Sequence, residues 1–337
     1  MTLREIPRKI PDIDKVEVLV IDDGSTDSTL QVARSNGADH VVRFPQTKGL
    51  TRAFSAGIDV SLRLGADIIV NTDGDNQYRG AGIPQLIRPI LDGSAEMVVG
   101  DRHVKTIDDF SWAKKKLQRI GSWAVRRISG TDVPDVTSGF RAFSREAALQ
   151  MNVVSPFSYT LETVIQAGKK HIALGHTRVE TNRKTRPSRL FRSIPEYLKR
   201  SLTTIVRVYT MFQPLRVFTA FGLVFLSGGA VLAGRFLYFC AIGDGQGHVQ
   251  SVVAAGALGV AGFLILLIGM VADLISFNRR LIEETLYRMR RVELSLGDGR
   301  PATSAGKDYF ISSPANTAGR EPRSGAPDVV YKEGTSE

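Results

Sequence analysis

The chain has 337 residues, which is enough for about two domains and a sizeable core. It carries 44 Lys and Arg against 34 Asp and Glu, and this excess favours an anionic partner such as nucleic acid, anionic lipid or a phosphorylated substrate. The single cysteine, Cys240, excludes an internal disulfide framework and a cysteine-rich zinc site. No secretory signal is visible in the polar first residues, so we expect this part of the chain in the cytosol.

Strands and helices alternate over residues 16–181. The apolar, β-type runs that we expect to form strands are residues 16–21, 41–44, 66–70 and 97–100. The segments with helical spacing are residues 26–33 and 49–64. This alternation predicts an α/β domain with a mostly parallel sheet, whose ligands bind beyond the carboxyl ends of the strands.

Two acidic clusters directly follow predicted strands. Asp22 and Asp23 end the first run, while Asp73 and Asp75 end the third and are followed by Gln77. Carboxylate and carboxamide oxygens are ligands that Mg²⁺ or Mn²⁺ accepts, and such an ion usually holds a substrate diphosphate. An ordinary turn rich in Asp, Gly and Asn is the alternative interpretation. Since both clusters lie at strand ends, we expect them to converge on one crevice.

Residues 182–216 form a basic segment with nine Lys or Arg and a single acid, Glu196. Apolar and aromatic side chains are interleaved with the charges at helical spacing, which fits a helix lying in a membrane interface. A nucleic-acid surface and a solvated basic helix are the alternatives at this point.

Two long apolar stretches follow, uncharged over residues 217–234 and 252–272, and favour a membrane over nucleic acid. The predicted spans are about 217–242 and 252–273 within a hairpin of residues 217–277. Each is long enough to cross a hydrocarbon core of ~30 Å at about 1.5 Å per residue. Arginines flank both outer ends, which predicts two spans with both termini in the cytoplasm. Beyond the hairpin we expect a cytoplasmic helix at 278–296 and a disordered tail at 297–337.

Four short motifs follow one another along the domain. They are Val20-Ile21-Asp22-Asp23-Gly24-Ser25-Thr26-Asp27, Asp73-Gly74-Asp75-x-Gln77, Gly100-x-Arg102 and Asp135-x-x-Ser138-Gly139-Phe140-Arg141. In this order they resemble motifs of the family 2 glycosyltransferases. Over roughly residues 16–195 the chain looks most like the polyprenol-phosphate glycosyltransferases of the dolichol-phosphate mannose synthase type. The resemblance implies a GT-A type nucleotide-diphospho-sugar transferase fold in residues 1–181.

The resemblance also implies an activity. It is the inverting transfer of a single sugar from a nucleotide-sugar donor to a polyprenyl phosphate at the cytoplasmic face of the inner membrane. The product would be a lipid-linked sugar for cell-envelope glycan or protein glycosylation. The sequence leaves open whether the chain forms a homo-oligomer. The alternative is a non-catalytic membrane interaction protein derived from a truncated enzyme.

The family match assigns roles to individual residues. Asp73, Asp75 and Asp135 are the catalytic candidates, and Asp135 would position the acceptor oxygen unless it only caps a turn. A divalent ion, Mg²⁺ or Mn²⁺, held by Asp75 and Gln77 with Asp73 beside it would stabilise the leaving diphosphate. The candidates for binding the nucleotide are Asp22, Asp23, Arg102 and Arg119. The candidates for the acceptor phosphate are Arg141, Arg183, Arg186, Ser188 and Arg189.

One departure from the family concerns the N-terminus. Family members open with a strand that helps to hold the nucleotide base, whereas Met1 is followed here by a helix-like segment. We therefore expect the first strand to be missing, through a start codon placed too far downstream or a truncated gene product. A chain without this central strand would expose a sheet edge and lose half of the donor site.

Overall fold

The computed structural model describes residues 1–102, 129–154, 159–182, 209–243, 246–296 and 310–312, together with residues 126, 203, 206 and 207. The strands are β1 Leu19–Asp22, β2 His40–Arg43, β3 Ile68–Asn71, β4 Met97–Asp101, β5 Arg141–Ser144, β6 Leu174–Arg178 and β7 Phe310–Ser312. The helices are α1 Thr2–Glu5, α2 Thr29–Ser35, α3 Leu50–Arg63, α4 Ile83–Leu91, α5 Arg145–Gln150, α6 Tyr159–Lys169, α7 Pro214–Ala241 and α8 Val249–Leu296.

The seven strands form two sheets, with the orders β1-β2-β7 and β3-β5-β4-β6. β1 runs parallel to β2 and β4 runs parallel to β6, while β5 is antiparallel to both β3 and β4. The α/β class is therefore confirmed, although the sheets are mixed rather than mostly parallel. The reason is that the chain enters β5 from the edge at which β3 and β4 end.

Strands β1 and β3 each have a single partner among the described strands. Their apolar residues are only half-buried, apart from Ile69, whereas β4 is buried throughout. The expected absence of a first strand concerns the chain before Met1 and stays a prediction.

The short strand β7 differs from the expected disordered tail. Phe310–Ser312 pairs antiparallel with β2, so for these three residues the expectation is wrong. A β-type triplet beside the free edge of β2 gains backbone hydrogen bonds that it would lack in solution. The rest of the predicted tail lies outside the described residues.

Helix α3 packs the larger core. Its buried residues Phe54, Ile58 and Leu62 recur every four positions and so share one face of the helix. The Phe54 ring stacks on Tyr159 of α6 at 4.2 Å between centroids and contacts Phe143 of β5 at 5.9 Å. On the other sheet, α3 lies against β1. The helix therefore joins the two sheets into one domain.

Helices α7 and α8 have 28 and 48 residues and are long and apolar enough to cross a membrane, by length and composition. Only 11% of the most apolar 18-residue segment of α7 is buried, and 17% of that of α8, so they are not core helices of the domain. The predicted span at 217–242 falls within α7 except for its last residue, and the span at 252–273 falls within α8. The expected separate helix at 278–296 is instead the continuation of α8, which runs unbroken to Leu296.

Small residues at two contacts let α7 and α8 pack closely. A Cβ added to Gly222 would come within 3.1 Å of the Gly262 carbonyl oxygen, and one added to Gly262 would lie 3.0 Å from the Gly222 oxygen. At Gly229 an added Cβ would lie 3.0 Å from Ala255 O. Small residues at such contacts are typical of helices that associate within a bilayer.

The C-terminal part of α8 lies against the α/β domain. Arg290 Nη1 donates a hydrogen bond to Met151 O at 3.0 Å, and Tyr287 Oη donates to the Glu146 carboxylate. Glu293 forms an ion pair with Arg63 of α3. At about 1.5 Å per residue α8 is ~72 Å long, more than twice the hydrocarbon thickness. One helix therefore connects the apolar hairpin to the domain without a flexible linker.

We expect Phe212→Ala to lower the stability of the domain by about 3 kcal/mol, as for other buried phenylalanines. The reason is that Phe212, just before α7, is only 8% exposed and joins the core around Phe54. Thermal unfolding of the detergent-purified chain measures the effect. Phe221→Ala is the control, because Phe221 lies in α7 and is 60% exposed. Equal melting temperatures for the two variants would contradict the prediction.

Candidate active site

The polar residues singled out in the sequence meet at one edge of the four-stranded sheet. Asn71 at the end of β3 and Val99 in β4 are both paired with Arg141, the first residue of β5. Asp73 and Arg102 follow directly beyond β3 and β4. The loop of residues 131–140 reaches β5 across the same edge.

Gly139 in this loop lies directly against the Asp73 carboxylate. A Cβ at this position would come within 2.7 Å of Asp73 Oδ2 and 3.1 Å of Tyr159 Oη, so only glycine fits without displacement. Asn71 Nδ2 donates hydrogen bonds to Gly139 O at 2.8 Å and to Tyr159 Oη at 2.9 Å. Gly139 N in turn donates to Tyr78 Oη at 3.1 Å. Two tyrosines and an asparagine thus fix the loop over Asp73.

Asp73 and Asp75 form a closely spaced acidic pair. Burial raises the pKa of Asp73 above its ordinary value, and the negative charge of Asp75 raises it further. Asp75 Oδ1 accepts a hydrogen bond from Gln77 N at 3.0 Å, which ties the turn together. A divalent cation between two such carboxylates would relieve their repulsion, and the donor set fits Mg²⁺ or Mn²⁺.

No group of three or more His, Cys, Asp and Glu side chains that could hold a metal occurs among the described residues. An ion at Asp73 and Asp75 would therefore complete its coordination with the Gln77 carboxamide, water or substrate oxygens. Mg²⁺ is commonly bound in this way, through one or two carboxylates and substrate phosphates.

Arg102 and Asp135 form a buried ion pair with each other. Arg102 Nε donates to Asp135 Oδ2 at 2.7 Å and Nη2 donates to Oδ1 at 3.0 Å, with a further bond from Nη2 to Thr137 Oγ1 at 2.8 Å. Burial alone would raise the pKa of Asp135, but the guanidinium outweighs it and lowers that pKa. Arg102, which was expected to bind a phosphate, and Asp135, which was expected to position the acceptor oxygen, are thus paired with each other.

Arg141 is placed differently from the prediction that it binds the acceptor phosphate. Its side chain is completely buried and donates hydrogen bonds to Ser138 O and Val136 O, both at 2.8 Å, and to Thr163 Oγ1. Burial lowers the pKa of Arg141 to about 10. For Arg141 the prediction is therefore wrong, because its donors are consumed by carbonyl groups of the loop that leads into β5.

Asp22 and Asp23 end β1 with different surroundings. Asp22 is buried, and its Oδ2 has no hydrogen-bond partner among the described residues but lies 3.6 Å from Arg43 Nε. The Asp23 carboxylate accepts hydrogen bonds from Lys48 N at 2.7 Å and Gly49 N at 3.0 Å. Asp23 therefore fixes the backbone just before α3, whereas Asp22 Oδ2 faces the Arg43 guanidinium.

Comparison with known proteins identifies the domain. Residues 2–151 match the family model described as Glycosyl transferase family 2. These residues are similar to a family 2 glycosyltransferase domain. The α/β fold is consistent with the GT-A type that the resemblance implied.

Two relatives and a solved structure are similar to the chain. Glycosyltransferase AglJ from Haloferax volcanii is 28% identical over 301 residues, which is 87% of this chain and 93% of that protein. Polyprenol monophosphomannose synthase from Mycolicibacterium smegmatis is 32% identical over 139 residues, or 39% of this chain and 52% of that protein, so the match spans about half of the relative. Glucosyl-3-phosphoglycerate synthase from Mycobacterium tuberculosis, crystallised with Mn²⁺, UDP-glucose and phosphoglyceric acid, is 21% identical with a TM-score of 0.48 over 62% of this chain and 75% of that chain.

Several residues of the site are not among those predicted from the sequence. Tyr78 could have been predicted, since it directly follows Asp73-Gly74-Asp75-x-Gln77, and so could Asn71, which ends the strand just before this motif. Tyr159 could not, because it lies 88 positions from its partner Asn71. The predicted Arg119, Arg183, Arg186, Ser188 and Arg189 lie outside the described residues.

We expect Asp23→Ala to destabilise the domain by about 1.5 kcal/mol, as for the loss of a hydrogen bond to a charged group. The physical reason is that the amides of Lys48 and Gly49, just before α3, lose this carboxylate acceptor. Asp23→Asn keeps one acceptor oxygen and should cost less. Chemical denaturation of the purified chain measures both. An unchanged unfolding midpoint for Asp23→Ala would show that these two hydrogen bonds contribute nothing.

Proposed function

We propose that the chain transfers a single sugar from a nucleotide-sugar donor to a polyprenyl phosphate. The observation that carries this proposal is the Asp73–Asp75 pair at a strand end of a family 2 glycosyltransferase domain that is continuous with two apolar helices of membrane length. The similarity to a relative named polyprenol monophosphomannose synthase supports a lipid phosphate as the acceptor.

The donor would bind beyond the ends of β1, β3 and β4. Mg²⁺ or Mn²⁺ held by Asp75 and Gln77, with Asp73 beside it, would supply Lewis-acid stabilisation of the leaving nucleoside diphosphate. Asp22 and Asp23, at and just after the end of β1, are proposed to orient the nucleotide. Outside the described residues, Arg119 is proposed to add a cation at the diphosphate.

The acceptor needs little activation by the protein. A phosphate monoester is largely ionised near neutral pH, so its oxygen is already a nucleophile and no strong base is required. In-line attack on the anomeric carbon inverts its configuration. Asp135 is held by Arg102 and therefore acts as a positioning residue, because their pair fixes the loop that carries Gly139 above Asp73.

The membrane would supply the acceptor to the crevice. We propose that α7 and α8 cross the inner membrane as a hairpin with both termini in the cytoplasm, since Arg216, Arg279 and Arg280 lie at the outer ends of the spans. The basic segment 182–216 would lie in the interface. Its proposed contacts to the acceptor phosphate come from Arg183, Arg186, Ser188 and Arg189.

A transfer assay tests the proposal. The full chain, purified in detergent, is incubated with labelled UDP- or GDP-sugars, a short-chain polyprenyl phosphate and Mn²⁺ or Mg²⁺. We expect label to move into the lipid phase with one donor, and chelation of the metal to stop it. If no donor binds and no lipid is labelled under any condition, the proposal is wrong and the alternative, a non-catalytic membrane interaction protein, is favoured.

A further inference from the structure

The start of α7 is fixed at the junction between the apolar hairpin and the glycosyltransferase domain. Ser276 Oγ in α8 donates a hydrogen bond to Met211 O at 3.1 Å, and Arg280 Nη2 donates to Phe212 O at 3.5 Å. The Arg279 guanidinium lies 4.7 Å from the centre of the Phe212 ring, which is itself buried in the domain core. Charged groups around this junction therefore have defined positions.

Three cations from three helices lie around this junction, namely Lys169 at the end of α6, Arg216 in the first turn of α7 and Arg280 in α8. Lys169 directly precedes Lys170, which contacts Glu283 of α8, and Arg280 contacts Phe212 O, one turn before Arg216. Within the described part of the chain, Lys169 makes no ion pair, and the only hydrogen bond of the Arg216 guanidinium goes to the neutral Gln213 Oε1 at 3.2 Å. Partial burial lowers the pKa of Lys169, and the positive charges of Arg216 and Arg280 lower it further.

The carboxylate at this junction is already engaged by other cations. Glu283 pairs with Lys170 Nζ at 3.1 Å and with Arg279 Nη2 at 2.6 Å. Among the described residues, Lys169, Arg216 and Arg280 are thus left without an acidic partner. A cluster of like charges with fixed positions is stabilised by an anion that bridges its members.

We propose that Lys169, Arg216 and Arg280 bind the phosphate group of an anionic phospholipid of the cytoplasmic leaflet. The site rests on the proposed membrane placement and not on sugar transfer. Arg216 follows the first residues of α7 and Arg280 follows the apolar part of α8, which is the depth of lipid headgroups. A phosphodiester there can accept hydrogen bonds from all three side chains.

This site is distinct from the position of the acceptor phosphate. Helix α6 has 11 residues, with Tyr159 at its first position and Lys169 at its last. Tyr159 Oη accepts a hydrogen bond from Asn71 beside the Asp73 crevice. Lys169 lies about 15 Å farther along the helix axis. A lipid bound at Lys169 would thus fix the tilt of the domain on the bilayer while the acceptor reacts elsewhere.

Native mass spectrometry of the full chain from detergent tests the site with two probes, phosphatidylglycerol and phosphatidylcholine. We expect the wild type to retain phosphatidylglycerol in preference. In Lys169→Gln/Arg216→Gln, the affinity should fall about 30-fold, since ~1 kcal/mol per cation near an anionic headgroup corresponds to a factor of about 5. This variant leaves the hydrogen bond from Arg280 to Phe212 O in place, and its melting temperature in lipid-free detergent checks that it folds.

The matched control is Arg288→Gln/Arg291→Gln, which removes the same charge from exposed positions of α8. It should keep the wild-type preference for phosphatidylglycerol. Equal retention of phosphatidylglycerol by Lys169→Gln/Arg216→Gln and the wild type would overturn the proposed site. An equal loss of phosphatidylglycerol in both double variants would also overturn it. A short-chain polyprenyl phosphate that displaces phosphatidylglycerol one for one would overturn the assignment to a bilayer phospholipid. Loss of sugar transfer with unchanged lipid retention would bear on the proposed function alone.

Discussion

Asp75→Asn is expected to reduce sugar transfer by about 10²- to 10³-fold while the chain stays folded. The amide cannot carry the negative charge that holds the metal against the leaving diphosphate, and groups that stabilise developing charge typically contribute this much. Asp73→Asn should have a similar effect, because the two carboxylates act on the same site. Initial rates of labelled-lipid formation at saturating donor measure the loss.

Two measurements distinguish the loss of the metal site from a loss of folding in Asp75→Asn. The affinity for Mn²⁺ in the presence of the nucleoside diphosphate should weaken, whereas the melting temperature without metal should not fall. Asp14→Asn is the control, since Asp14 is exposed and lies outside the crevice. Full activity of Asp75→Asn at limiting Mn²⁺ would refute the metal site, even if transfer itself were established.

The acidic turn of this site could be predicted from sequence because its residues are neighbours in the chain. Asp73, Asp75 and Gln77 lie within five positions of one another, directly after an apolar run that forms β3. The same holds for α3, whose 3.6-residue periodicity predicted its ends to within one residue. In both cases neighbouring residues alone carry the information.

What could not be predicted depends on contacts between distant residues. Arg102 and Asp135 are 33 positions apart. The sequence therefore predicted that each binds a ligand and did not show that the two residues pair. The complete burial of Arg141 is unexpected for a charged side chain and requires carbonyl acceptors that only the folded loop provides. β6, with the sequence Leu-Gly-His-Thr-Arg, lacks an apolar run and forms because β4 offers it a parallel edge.

Breaking the Arg102–Asp135 pair is expected to cost the domain about 3–5 kcal/mol of stability, the usual result of leaving one buried charge without its partner. The side chains are only 12% and 2% exposed, so water cannot compensate for the loss. Asp135→Ala should therefore unfold the domain at clearly lower denaturant concentration. The double variant Arg102→Leu/Asp135→Leu should be less destabilised than the sum of the two single changes, because it leaves no unpaired charge.

The same pair predicts a pH dependence with a definite sign. The pKa of Asp135 is lowered in the folded chain, so the stabilisation is fully present above the unfolded pKa near 4 and is lost as the pH falls through the lower folded pKa. Unfolding midpoints measured between neutral and acidic pH should fall less steeply for Asp135→Leu than for the wild type. Parallel pH profiles, together with additive costs of the two single leucine variants, would show that Arg102 and Asp135 do not act as a pair. The loop that carries Gly139 over Asp73 would then be held by its hydrogen bonds to Tyr78, Asn71 and Arg141.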